Sequence, residues 1–139
     1  MQDIKYIEPT ALHEEMVRLR NEKKMDFLES LTGMDWGEPD EKDSPETVRG
    51  LGVVYHLEST TTGERMVVKT STINRESPEL PSVCDIWRAA EMNEREVYDY
   101  FGIIFAGHPD MRRLFLRNDW VGYPLRKDND PEKENPLRM

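Results

Sequence analysis

The sequence predicts an α+β fold. Three observations carry this: an apolar stripe at helical spacing near the N-terminus, a strictly alternating run in the middle, and a second helical run that stops at a glycine. Residues that recur every three to four positions bury one face of a helix, and residues that alternate bury one face of a strand. The chain therefore mixes the two periods.

The first helix follows Thr10, which can cap it, and its stripe is Leu12, Met16, Val17 and Leu19. Arg18, Arg20, Lys23 and Lys24 lie toward its C-terminal half, where cations suit the helix dipole. Residues 27–34 read two ways. Phe27, Leu28, Leu31 and Met34 fit a short helix, whereas Gly33 and the following Trp36 fit the entry to a strand. Residues 35–46 hold six acids and one lysine, a local net charge of −5, with Gly37, Pro39 and Pro45. Such a stretch cannot bury itself and is expected as a solvated loop, either variable surface or an acidic docking element.

A hairpin comes next. Leu51, Val53, Tyr55 and Leu57 alternate with Gly52, Val54, His56 and Glu58; a turn over 59–64 contains Gly63, and residues 66–70 return. Val54 and Val67 point to the other face, so part of that face is expected to be covered. Pro78 and Pro81 make the residues between them extended. Ser82, with Asp85 three residues on, is a weak capping box for a helix through Ile86, Trp87, Ala89 and Ala90. Asn93 restarts a helix with Glu96 at its third position, and the run ends after Phe101 at Gly102.

Residues 103–139 carry Gly107, Pro109, Gly122, Pro124, Pro131 and Pro136 and little periodicity. A segment this long without regular structure makes sense as an arm laid over another surface. The expected organisation is one domain: an α+β core over 1–102 and an interaction arm over 103–139.

Composition narrows the function classes. The 139 residues hold 28 Asp+Glu against 19 Lys+Arg, a net charge of −9. Hydrophobic residues are 37% and the mean hydropathy is −0.78, so the core is modest. No stretch approaches a membrane span, and residues 1–6 lack a secretory pattern. One cysteine, Cys84, excludes an internal disulfide and a multi-cysteine metal or iron–sulfur site. These features point to a soluble intracellular protein, and the acidic balance argues against general nucleic-acid binding.

Two stretches carry charge in patterns. Arg95 sits four residues after Glu91 and four before Asp99, so two surface ion pairs are available on a helix, each worth about 0.3–0.5 kcal/mol. Glu96 can cap Asn93, while Val97 and Phe101 share a core-facing side. Glu94, Glu96, Asp99 and His108 could be read as acid–base catalysts, but groups so close along one helix do not converge on a point, and no base–orienter pair is evident. His108 precedes Pro109 in an extended turn, where hydrogen bonding is its expected role rather than metal ligation. Cys84 is expected as a small buried residue beside Trp87. Farther on, Arg112, Arg113, Arg117, Arg126 and Lys127 oppose only Asp119 over 112–127, a local charge of +4, interleaved with Phe115, Trp120, Tyr123 and Leu125. Arginine with Trp and Tyr is a hot-spot mix at protein interfaces. The remainder of the chain, at −13, would repel phosphates. The residues alone leave open whether this arm docks on its own domain or on a partner.

Taken together, Glu94-Arg95-Glu96, Asp99-Tyr100-Phe101, Gly107-His108-Pro109-Asp110, Arg112-Arg113 and the run from Asp119-Trp120 through Tyr123-Pro124-Leu125-Arg126-Lys127-Asp128 resemble the C subunit of the respiratory NADH:quinone oxidoreductase, complex I. Pro81-Ser82-Val83 fits as well. The close likeness covers roughly residues 80–128. The resemblance implies a two-layer α+β domain with an antiparallel-rich sheet packed against helices and an irregular C-terminal arm. It implies a scaffold with no catalytic residue and no flavin, iron–sulfur cluster or quinone ligand of its own, the FMN and clusters being on other subunits. The family motif would be Glu94, Arg95, Glu96, Asp99, His108, Arg112 and Arg113. The partner would be the D subunit, gripped through Arg112, Arg113, Trp120, Tyr123, Pro124, Arg126 and Lys127, together with other members of the peripheral arm, in a complex seated on the cytoplasmic side of the membrane. Related subunits occur in membrane-bound hydrogenases, and the motif fits both. Some relatives are fused to the D subunit, for which this sequence is too short. The acidic loop at 35–46 and residues 130–139 lie outside the shared pattern.

Overall fold

A computed structural model describes residues 3–38, 48–117 and 119–129. These form β1 (Asp3–Tyr6), α1 (Pro9–Glu22), β2 (Phe27–Asp35), β3 (Leu51–Glu58), β4 (Arg65–Thr72), β5 (Glu79–Pro81), α2 (Ala90–Phe101) and β6 (Ile104–Ala106). The main sheet has the order β1-β4-β3-β2; β1 joins β4 in parallel and the other two pairings are antiparallel. β5 and β6 form a small parallel pair. This is the two-layer α+β architecture expected from the sequence.

The hairpin is as predicted. Leu51, Val53, Tyr55 and Leu57 are buried and stand opposite Thr72, Thr70, Val68 and Met66 on the same face. Leu12, Met16 and Leu19 of α1 and Ala90, Val97 and Phe101 of α2 join them in a single core cluster. Both helices thus lie on one face of the sheet. Each fully buried aliphatic side chain there contributes about 1.5–3 kcal/mol. The opposite face is only partly closed, as expected: Val67 is buried but Ile4 and Tyr6 are exposed.

Several boundaries differ from the sequence reading. α1 starts at Pro9 with Glu8 as N-cap and no side-chain cap; proline supplies the helical φ at the first position, so Thr10 lies inside. Residues 27–34 are strand, because Leu28 and Leu31 alternate onto the core face across a bulge between Leu28 and Ser30. Asp35, read as the start of the solvated loop, ends β2 with its side chain almost fully buried; residues 39–46 of that loop lie outside the described residues. Ser82 caps no helix. Residues 84–86 form a turn, and α2 is continuous from Ala90, so Asn93 is interior and Glu96 caps nothing. The turn is held by tertiary bonds instead: the Arg20 guanidinium donates to the Ile86 carbonyl, and Trp87 Nε1 donates to the Met25 carbonyl at 3.0 Å. Residues 103–106, read as the beginning of the arm, are core. Ile103 and Phe105 are buried, and Ile104–Ala106 pairs with β5.

Candidate interaction site

The family-like motif sits on α2 and on the irregular segment beyond β6. α2 ends at Gly102 with φ 77°, the left-handed conformation that closes a helix. A side chain there is excluded twice over, since a Cβ would stand 2.8 Å from the Tyr123 ring. The arm therefore lies directly on the end of the helix.

Asp99 organises the arm. It is fully buried. Its Oδ2 accepts the backbone N–H groups of Leu114 (3.3 Å), Phe115 (2.7 Å) and Leu116 (3.0 Å), and its Oδ1 accepts from Arg113 at 3.1 Å. Arg113 also donates through Nη1 and Nη2 to the carbonyls of Asp99 (2.9 Å), Trp120 (3.1 Å) and Gly122 (3.0 Å) and stacks 4.9 Å above the Tyr123 ring. Arg95 does not pair with Glu91 or Asp99, as the helical spacing predicts. It donates to the carbonyls of Arg112 (3.1 Å) and Arg113 (3.0 Å). Asp99 is already saturated by Arg113 and three backbone N–H groups, and Glu91 is exposed to solvent, so Arg95 serves the arm's backbone instead.

A second clamp holds the far end. Asp35 accepts two bonds from Arg75 at 2.9 and 2.6 Å and the Lys127 N–H at 2.8 Å. Burial would raise the Asp35 carboxyl, but the Arg75 guanidinium and the Lys127 and Gly37 N–H groups outweigh it and hold it well below the usual carboxylate range. Arg126 donates to the Arg75 carbonyl and to Asp128, each at 2.8 Å. The sequence gives little signal for this clamp, because Asp35 is masked by the acids that follow it and Arg75 stands in no pattern.

Glu94 faces the opposite way, into the core, and is fully buried. It accepts from Ser82 Oγ at 2.5 Å and from the Val83 N–H at 2.9 Å. Burial pushes its carboxyl up to about 7 against these two donors. Tyr55, whose hydroxyl is buried without a partner, is raised by burial and by this carboxyl. His108 accepts the Asp110 N–H on Nδ1 at 2.9 Å and lies 2.7 Å through Nε2 from the Glu91 carbonyl. That is the hydrogen-bonding role expected of it.

The four side chains considered as acid–base groups thus face four surroundings: Glu94 the 82–83 turn, Glu96 solvent, Asp99 the arm, and His108 the start of α2. Of the arm residues singled out for partner binding, Arg113 and Arg126 are committed inside the chain, and Tyr123 and Pro124 are half-buried. Arg112 and Lys127 are exposed, Trp120 partly so. The pinned arm also turns Phe115 and Leu125 outward. Among the described residues no cluster of three or more His, Cys, Asp or Glu could hold a metal ion, and no helix is long and apolar enough to cross a membrane.

Residues 5–135 match the family described as Respiratory-chain NADH dehydrogenase, 30 Kd subunit. The chain belongs to that family. It is 76% identical over all 139 residues to the C/D subunit of NADH-quinone oxidoreductase from Bacteroides fragilis, of which it spans 26%. The chain therefore covers about a quarter of the length of this relative. The fold is shared with the trypsin-resistant fragment (1-134) of Nqo5, at 35% identity and a TM-score of 0.63, over 76% of this chain and 79% of that one. It is shared too with a chain in the membrane-bound sulfane sulfur reductase, an archaeal respiratory membrane complex, at 28% identity and a TM-score of 0.71, over 94% and 74%. In this chain, Arg95 and Asp99 of α2 hold the arm through its backbone and Arg113.

Proposed function

We propose that this chain is the C portion of an NADH:quinone oxidoreductase, a scaffold that holds the quinone-reducing module in place while electrons pass through FMN and iron–sulfur clusters on other subunits. The observation that carries this reading is the identity along the whole chain to a C/D subunit, joined to Arg95, Asp99 and Arg113, whose charges are spent on shaping the arm. A rigid arm presents its outer side chains at low entropic cost to a partner. The partner is a D subunit, as a separate polypeptide or as part of the same one, on the cytoplasmic side of the membrane. Arg112, Trp120 and Lys127 meet it directly, while Arg113, Tyr123, Pro124 and Arg126 keep the arm in shape. The arm that does so is residues 107–129.

The likeness to the sulfane sulfur reductase chain favours one second reading: the equivalent subunit of another energy-converting membrane complex. Membranes from cells lacking the chain decide between them. Loss of NADH-driven quinone reduction is expected; loss of a hydrogen- or sulfur-linked activity with NADH oxidation intact supports the second reading, and retention of both overturns the scaffold role.

A further inference from the structure

Phe115 and Leu125 are 63% and 56% exposed, yet the backbone of each is pinned. The Phe115 N–H donates to Asp99 at 2.7 Å, and the Leu125 N–H donates to the Tyr100 carbonyl at 3.1 Å. The Phe115 ring stacks on Tyr100, with the centroids 6.1 Å apart. Tyr100 and Leu125 in turn line an open cavity of about 110 Å³ between β2 and α2, together with Leu31, Gly33, Val97 and Phe101. Exposed apolar side chains held around an apolar hollow mark a contact surface rather than a solvated one.

The hollow itself limits what enters. A cavity of about 150 Å³ takes a benzene ring. In the same proportion this one takes about four carbons, which is a branched aliphatic side chain and not a ring. A prenyl or acyl tail would leave most of its length outside. Leu125 stands between Trp120 and Lys127, which the scaffold reading turns toward the D subunit. In the Bacteroides fragilis relative the C and D portions share one polypeptide, and such a tether holds a D segment at high local concentration. We propose that the cavity seats one branched aliphatic side chain of the D subunit, with Phe115, Tyr100 and Leu125 packed around it. The inference rests on the scaffold reading and adds to it the apolar anchor of the contact. The pinned backbone of residues 115 and 125 keeps that anchor formed before the partner arrives, which lowers the entropic cost of docking.

Two measurements test the anchor. Isobutanol and benzyl alcohol are titrated into the 139-residue chain while its amide resonances are followed. Isobutanol is expected to shift residues 31–33 and 97–101, and benzyl alcohol to leave them in place. Val97→Ile adds a methyl group to the cavity and is expected to abolish the response, with a melting temperature at or above that of the wild type. Affinity for a purified homologue of the D subunit is expected to fall roughly tenfold in Val97→Ile and in Phe115→Ser. Equal responses to the two alcohols, including none to either, overturn the proposal. Self-association of the chain that Phe115→Ser abolishes overturns it as well, since the occupant is then a second copy. Unchanged affinity of both variants for the D homologue overturns the anchor and leaves the scaffold reading standing, whereas a wild-type chain that binds no D homologue overturns both.

Discussion

The Asp99 carboxylate and the Arg113 guanidinium meet at 3.1 Å, the first fully buried on α2 and the second 9% exposed on the arm. Asp99 also gathers three consecutive backbone N–H groups of that arm. A buried charge stripped of its partner is costly, whereas removal of both partners is far less so. Asp99→Ala is expected to destabilise the chain by about 3 kcal/mol, and Arg113→Ala by a similar amount. The double variant is expected to lose clearly less than the sum. Urea denaturation of the four proteins measures this. Additive losses would mean that the two groups do not work as a unit. Tryptic cleavage near Arg117 is expected to accelerate in each single variant, because the arm leaves α2.

Glu94 sets a pH dependence of unusual sign. Its folded value of about 7 lies above the ordinary 4.5. Between these values the folded chain holds a proton that the unfolded chain has released, so stability falls as pH rises through the window and levels off above about 7. Glu94→Gln copies the neutral acid, with an amide that still reaches Ser82 and the Val83 N–H. It is expected to match the wild type near pH 4.5 and to exceed it by about 2 kcal/mol near pH 8. Denaturation midpoints across that range check the slope; an unchanged slope in the variant assigns the effect elsewhere.

The Asp35–Arg75 clamp acts at the acid end. Asp35 is held below its ordinary 3.8 chiefly by the Arg75 guanidinium, against the opposing pull of burial. Its contribution is present above that value and lost as pH falls through it, since the unfolded chain then takes up the proton that the fold refuses. Arg75→Lys keeps the charge but loses the two-pronged geometry. The substitution is expected to cost about 1–2 kcal/mol at neutral pH and to raise the pH of acid unfolding, followed by circular dichroism. Equal acid midpoints would place the anchor of residues 126–128 elsewhere.

Much of this architecture is legible in local periodicity. Leu51 to Leu57 alternate, and Leu12, Met16 and Leu19 recur at helical spacing, because burial on one face selects those residues directly. The role of α2 is legible only as a resemblance. Arg95 four residues from Asp99 has the spacing of a surface pair; what removes Asp99 from that role is an arm fifteen residues downstream, and no short window contains both. Glu94 is similar. A carboxylate beside Arg95 reads as solvated until the 82–83 turn supplies its donors. The residues 27–34 are undecided by pattern because a bulge breaks their alternation. In each case the deciding partner is distant in sequence.

Gly33 tests how closely α2 sits on the sheet. An added Cβ would lie 2.6 Å from Phe101 Cδ2 and 3.1 Å from a Val97 methyl. Both neighbours belong to the core cluster and cannot swing into solvent. Gly33→Ala is therefore expected to push α2 outward and cost about 1–3 kcal/mol, as overpacking does. The contact is with the ring edge, so Phe101→Leu in the same chain is expected to recover part of that loss, although it destabilises the wild type. Because α2 carries Asp99, the displacement is also expected to loosen the arm, read as faster amide exchange at residues 114–116. A Gly33→Ala chain with wild-type stability and unchanged protection there would show that helix and arm are not mechanically joined through this contact.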